Sequence, residues 1–207
     1  MKILIVTTSS DFSGAPIHIV NLVKGIKSLE FRLLCGGEGL VFSENNIPFT
    51  RISSLKSNLN LFRDIVTLFV LIKNIIKYKP DLIHSHSSKA AMLSRIAGTL
   101  FNLPVIYTVH GWGWRGFGRI KSNLIKLIEY ILSFSNCFYI FVGKCLLDEI
   151  NFSKKISNRY KVIFNSSNSV KNLFFDHSLL KIILEHLSSK YILSFKDFEP
   201  FMESGSL

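Results

Sequence analysis

Apolar and polar positions follow two rhythms along this 207-residue chain. Short continuous runs of branched aliphatic residues recur, and the segments between them carry apolar residues every three or four positions. Residues 2–6 form the first such run and predict a buried strand. A polar loop holding Gly14 follows. A helix then begins, with Pro16 suited to its first turn and Ile17, Ile19, Val20, Leu22, Val23 and Ile26 on its apolar face. Residues 31–35 read as the second strand, and Gly36, Gly37 and Gly39 turn the chain into a short helix and a strand near 48–52. Residues 59–79 predict a long helix, apolar nearly all round and therefore expected to be substantially buried.

The stretch 81–116 organises the rest. Residues 81–85 are a strand ending in His84, Ser85 and His86. Ser87 and Ser88 can cap a helix carried by Ala90, Ala91, Leu93, Ile96, Ala97 and Leu100. Pro104 closes that helix, and the run from Val105 to Val109 predicts the next strand. This is a βαβ unit. An amphipathic helix over 119–134, a strand over 136–142, a helix over 144–151 and a strand over 160–164 complete the alternation. The class is α/β, a parallel sheet flanked by helices with right-handed crossovers. Residues 1–170 are expected to form one domain. Beyond the polar stretch 165–169, residues 171–207 read as a short tail with too little chain for a core of its own.

Charge changes the picture in one respect. Lys and Arg number 25 against 14 Asp and Glu. The first 170 residues hold 21 of the basic and 9 of the acidic residues, so the body is basic and the tail is not. A basic body suits nucleic acid, an anionic membrane surface or phosphorylated substrates. No recognised nucleic-acid module is present, which removes the first. Cys35, Cys137 and Cys145 are widely spaced, with no CxxC, and fit buried thiols in a reducing compartment. No signal peptide or spanning segment is legible, so the expectation is a cytoplasmic protein resting on the inner face of the membrane.

Candidate chemistry gathers where the strands end. Gly14, between the first strand and first helix, allows a phosphate to approach the backbone and the helix N-terminus. It stands alone, without the dinucleotide fingerprint or the acidic residue for a ribose. His84 and His86 are expected to hydrogen-bond in or beside a cleft. They are expected to point to opposite faces of their strand, which argues against a shared metal. His110 ends the next strand and opens a loop of glycines and aromatics, with Gly111, Trp112, Trp114 and Arg115, expected to be mobile and to offer stacking faces for a sugar ring or a lipid head group, the alternative being a loop that closes over its own core with the tryptophans as packing. Arg115, Arg119, Lys121 and Lys126, set among Leu124, Ile125, Leu127 and Ile128, read either as an ordinary core-facing helix with a solvated side or as a basic amphipathic helix compatible with anionic lipid.

The segments MKILIVTT and SGAPIHIVNLVKGI, then PDLIHSHSSKAAMLSRIAG and LPVIYTVHGWGW, and further on LIKLIEYIL with Glu129, FYIFVGKCLLDEI and KVIFN, together resemble the N-terminal domain of family 4 glycosyltransferases. The resemblance implies a Rossmann-like parallel sheet, the N-terminal half of a GT-B fold. It implies glycosyl transfer from a nucleotide-sugar to a hydroxyl acceptor in surface polysaccharide or lipopolysaccharide synthesis, with neither metal nor cofactor and generally with retention. His110 would sit at the transfer centre, with Gly14 and Gly111 toward the donor. His84, His86, Trp112, Trp114 and Arg115 would face a glycan or lipid-linked acceptor. Val142-Gly143 stands where the family usually reads Val-Ser, and Asn165-Ser166 where it reads Asn-Gly. The second, donor-binding domain is expected to be missing, its place taken by residues 171–207. The chain would then be inactive alone or need a separate donor-binding domain, and would expose an apolar patch where that domain packs. The alternative is an acceptor- or membrane-binding module without catalysis.

Overall fold

Every strand pairing among the described residues is parallel, in one seven-stranded sheet whose spatial order is 49–51, 30–35, 2–7, 82–85, 105–109, 137–141 and 160–162. The computed structural model describes residues 1–163. In chain order the elements are β1 (Lys2–Thr7), α1 (Gly14–Gly25), β2 (Glu30–Cys35), α2 (Leu40–Glu44) and β3 (Phe49–Arg51). Then come α3 (Leu61–Tyr78), β4 (Leu82–Ser85), α4 (Ser88–Phe101) and β5 (Val105–Val109). The series closes with α5 (Arg119–Leu132), β6 (Cys137–Phe141), α6 (Lys144–Asp148), a single 3-10 turn (Ser153–Ile156) and β7 (Tyr160–Val162). The helix expected over 144–151 is thus shorter, and the expected strand end at Phe164, the stretch 165–169 and the tail 171–207 lie outside the described residues.

Alternation along the buried strands sorts their side chains into two cores. Leu4, Val6, Ile83, Val105, Tyr107 and Val109 pack with residues of α3, α4 and α5. Ile3, Ile5, Leu82, Ile106 and Ile140 pack with residues of α1 and α2. Odd positions of β5 therefore face α4 and α5, and even positions face α1. The chain leaves β1 toward β2 on one side and β4 on the other, so the strand order reverses at β1. In open α/β sheets that point, at the C-terminal strand ends, is where ligands bind.

Local chemistry fixes the central unit as its sequence suggested. Ser87 caps α4, its hydroxyl accepting from the Ala90 amide at 3.3 Å, and Asn102 ends that helix in the left-handed conformation. The long helix departs from expectation. Only Thr67, Leu71 and Ile75 of α3 are buried, while Phe62, Phe69 and Ile76 stand in solvent. Being apolar all round did not bury it, because α3 packs on α4 along one edge and nothing described covers its outer side.

Candidate active site

Four of the chain's six histidines meet at the C-terminal edge of β4 and β5. His84 lies in β4 and His86 just beyond it, with the His86 amide donating to the Val6 carbonyl at 3.0 Å. Strand alternation places residues two apart on the same side, and the two rings lie 4.1 Å apart between centroids. The expectation that they point to opposite faces is thereby overturned. Both are on the α1 side, as are Thr108 and His110, and His18 approaches from α1 with its ring 5.3 Å from those of His86 and His110. No group of three or more His, Cys, Asp or Glu among the described residues is disposed to hold a metal ion.

Hydrogen bonds order these rings. His84 Nε2 lies 2.8 Å from Thr108 Oγ1, and His86 Nδ1 lies 3.3 Å from His110 Nε2. His86 Nε2 is buried with no hydrogen-bond partner among the described residues. A buried bare lone pair is less costly than a buried orphan N–H, so the favoured assignment has His86 Nδ1–H donating to His110 Nε2. His110 then carries its proton on Nδ1 and is a neutral donor. Burial, followed by the His18 ring, holds the His110 pKa down to about 3. Burial also drives His84 and His86 far below the ordinary histidine value, reinforced by their neighbouring imidazoles.

A cleft of about 390 Å³ opens beside this cluster. His86, Lys89, His110, Gly111, Trp112 and Arg115 are on its wall, and Ser57 and Asn58 reach it from the loop before α3. The structure therefore brings His86, His110, Gly111, Trp112 and Arg115 together. Gly14, His84 and Trp114 are not among its lining residues. His84 is wholly buried beneath His86. Gly14 is exposed at the first residue of α1, with nothing within 4 Å of where a Cβ would stand.

The glycine-rich loop is pinned rather than free. Ser88 Oγ accepts from the Gly113 amide at 2.8 Å and lies 2.8 Å from the Tyr107 hydroxyl. The Trp112 indole donates to the Leu146 carbonyl at 2.7 Å. Trp114 stacks 4.4 Å from Trp112, and Trp112 also packs edge-on against Tyr107 and Phe152. Both rings belong mainly to the core, with Trp112 keeping one edge on the cleft. Arg115 pairs with Glu149 at the surface. Gly113 permits the close approach, since a Cβ there would fall 2.7 Å from that of Ser88.

Two ion pairs tie α4 to its neighbouring helices. Arg95, fully buried on α4, donates to Glu129 of α5 at 2.7 Å, to the Tyr139 hydroxyl at 3.0 Å and to the Ala91 carbonyl at 3.1 Å. Burial alone would lower its pKa, but Glu129 raises it beyond its ordinary value, so it stays charged. Lys89 on the cleft wall pairs with Asp64 of α3. Sequence reasoning missed both pairs. The available signal was a charged residue inside the apolar period of α4, because a charge on a buried face requires a partner.

Comparisons with known proteins agree with this architecture. The profile of Glycosyltransferase Family 4 matches residues 12–171. A curated relative is the UDP-Gal:alpha-D-GlcNAc-diphosphoundecaprenol alpha-1,3-galactosyltransferase of Escherichia coli, 30% identical over 155 residues. That match covers 67% of this chain and 38% of the relative. The capsular polysaccharide biosynthesis glycosyltransferase CapM of Staphylococcus aureus is 26% identical over 143 residues, covering 67% of this chain and 37% of CapM. The chain thus spans well under half the length of these relatives. Among solved structures, HepE of Anabaena in complex with UDP has a TM-score of 0.63 at 15% identity, over 86% of this chain and 50% of HepE. The UDP complex of S. aureus MnaA has a TM-score of 0.59 at 17% identity over 78% of this chain and 43% of MnaA. At those identities the likeness is one of fold.

Proposed function

From the premise that the chain belongs to the family 4 glycosyltransferases, with the parallel sheet of an N-terminal GT-B half, we propose that it forms the acceptor side of an enzyme transferring a sugar from a nucleotide-sugar to a hydroxyl acceptor. The observation that carries the reading is the histidine-walled cleft at the point where strand order reverses. The name of the E. coli relative gives UDP-Gal and the HepE structure holds UDP, and a uridine-diphosphate sugar is the donor class this reading adopts. The acceptor would be a glycan or a lipid-linked sugar of surface polysaccharide synthesis, met at the cytoplasmic face of the membrane. A neutral His110 is a poor base at any ordinary pH. Its role would be to donate a hydrogen bond to a donor-sugar oxygen as charge develops there, from a position fixed by His86.

The described residues supply one wall of the cleft. Contacts to the donor nucleotide would come from a second, donor-binding half, such as the related proteins have length to contain. The reading is tested by incubating the purified chain with UDP-, GDP- and CMP-sugars over membrane extract, alone and with the donor-binding half of the E. coli relative. Transfer only in the combined reaction, with UDP-sugars, is expected. Transfer by the chain alone would overturn the need for a second half. Silence in both reactions would favour a binding module without catalysis.

A further inference from the structure

Among the described residues, ten of the seventeen exposed large apolar side chains lie on just two helices, α3 and α5. Phe12 and Phe117 are exposed near the strand ends, but the expected apolar patch for a sister domain is not the main one. Both helices flank α4 on one side of the sheet and pack against it. On α3 the outward stripe is Phe62, Val66, Phe69 and Ile76, opposite the buried Thr67, Leu71 and Ile75. On α5 it is Ile120, Leu124, Leu127 and Ile131, opposite the buried Ile125. The spacing repeats: i, i+4 and i+7 on each helix, with i+14 on α3 and i+11 on α5, a continuous stripe in both.

Charge decides what such a surface fits. Arg63, Lys73 and Lys77 of α3 and Arg119, Lys121 and Lys126 of α5 are all exposed. Each helix has a single acidic residue, and each is turned away from the stripe. Asp64 is bound to Lys89 and Glu129 to Arg95, both on the intervening α4. The outer side thus presents apolar stripes and basic residues with no free carboxylate from either helix.

We propose that α3 and α5 together form a two-helix face that docks on an anionic lipid bilayer. Phe62 and Phe69 enter the interface beside Ile120 and Leu124, while the lysines and arginines meet the head groups. This deepens the reading of a membrane-surface enzyme, but it stands apart from transfer: a chain that binds vesicles without turning over leaves the face intact. Both helices are required, because the ten exposed large side chains are divided between them, six on α3 and four on α5.

Co-sedimentation of the full chain with vesicles tests the proposal. Binding to phosphatidylcholine vesicles containing about a third phosphatidylglycerol is expected, with little binding to pure phosphatidylcholine and release by salt. Phe62→Ser/Phe69→Ser on α3, Leu124→Ser/Ile131→Ser on α5, and Lys121→Glu/Lys126→Glu should each lower the partition by roughly tenfold or more. Circular dichroism should stay unchanged, since all six side chains are exposed. Equal binding to both vesicle types, no binding, or indifference to the α3 changes would overturn it. So would self-association abolished by the same substitutions, which would give the face to a second copy instead.

Discussion

His86 Nδ1 and His110 Nε2 meet at 3.3 Å across the ends of neighbouring strands. Both rings are on the cleft wall, His86 almost wholly buried and His110 less so, and the hydrogen bond from the first fixes the tautomer and orientation of the second. His84 lies under His86 and is itself held by Thr108, and His18 packs on both His86 and His110. Burial favours the neutral form of His84, His86 and His110, and His18 packs against the last two.

That cluster predicts acid sensitivity with a definite sign. His84, His86 and His110 all titrate below the ordinary histidine value when folded, His110 at about 3. Between that value and the unfolded pKa of about 6.5 the unfolded chain binds more protons, so stability falls as pH drops. Each histidine contributes up to about 1.4 kcal/mol per pH unit in that window and nothing above it. Urea midpoints should be level above about pH 7 and fall steeply by about pH 5. A level profile across that interval would contradict the cluster.

Arg95 and Glu129 give a large expected loss of stability from one substitution. Both are buried, and removing either leaves the other charge without its partner. Glu129→Ala or Arg95→Ala should cost about 3–5 kcal/mol in denaturant unfolding. Arg95→Met with Glu129→Leu should recover most of it, since no charge then remains in the core. A double variant as unstable as the single ones would show that the pair does more than satisfy itself.

The loop after β5 depends on one hydroxyl. Ser88→Ala removes the acceptor of the Gly113 amide and the partner of the Tyr107 hydroxyl, an expected cost of about 1–3 kcal/mol. Trp112 and Trp114 report on it, because both are packed behind that tie. Their fluorescence should shift to the red in Ser88→Ala. Unchanged emission would mean that the Trp112 bond to Leu146 is sufficient to hold the loop.

Two glycines should respond in opposite ways. A Cβ on Gly36 would lie 2.1 Å from the Leu55 carbonyl oxygen and 2.5 Å from that of Thr8, so Gly36→Ala should fail to fold stably. A Cβ on Gly14 meets nothing within 4 Å, and Gly14→Ala should leave the melting temperature unchanged or raise it by a few degrees. If Gly14 serves donor approach, the same variant should lose transfer in the complemented enzyme. Full activity would release Gly14 from that role.

The order of strands and helices was legible because the buried runs are short, β-branched and separated by clear helical periods. The strand ends that form the site followed from that order. What was not legible came from tertiary contact. The convergence of His18 with the strand histidines needs the packing of α1 on the sheet, and a correct count of strand alternation would already have joined His84 to His86. Trp112 and Trp114 looked like free stacking surfaces because a glycine-rich sequence does not reveal that Ser88 and Leu146 hold its loop down. The exposure of α3 was hidden because an all-round apolar helix reads the same whether it lies in a core or at a boundary with something apolar.

The central claim is that His110 stands at the transfer centre of an acceptor half. Its most direct test is sugar transfer to membrane-extract acceptor by the chain combined with the donor-binding half of the E. coli relative, comparing wild type, His110→Ala and His110→Asn. His110→Ala should lower turnover by about 10²–10³-fold while circular dichroism and vesicle binding stay unchanged, and His110→Asn should restore part of it as a neutral donor. Turnover of His110→Ala equal to wild type would contradict the account and remove His110 from the mechanism.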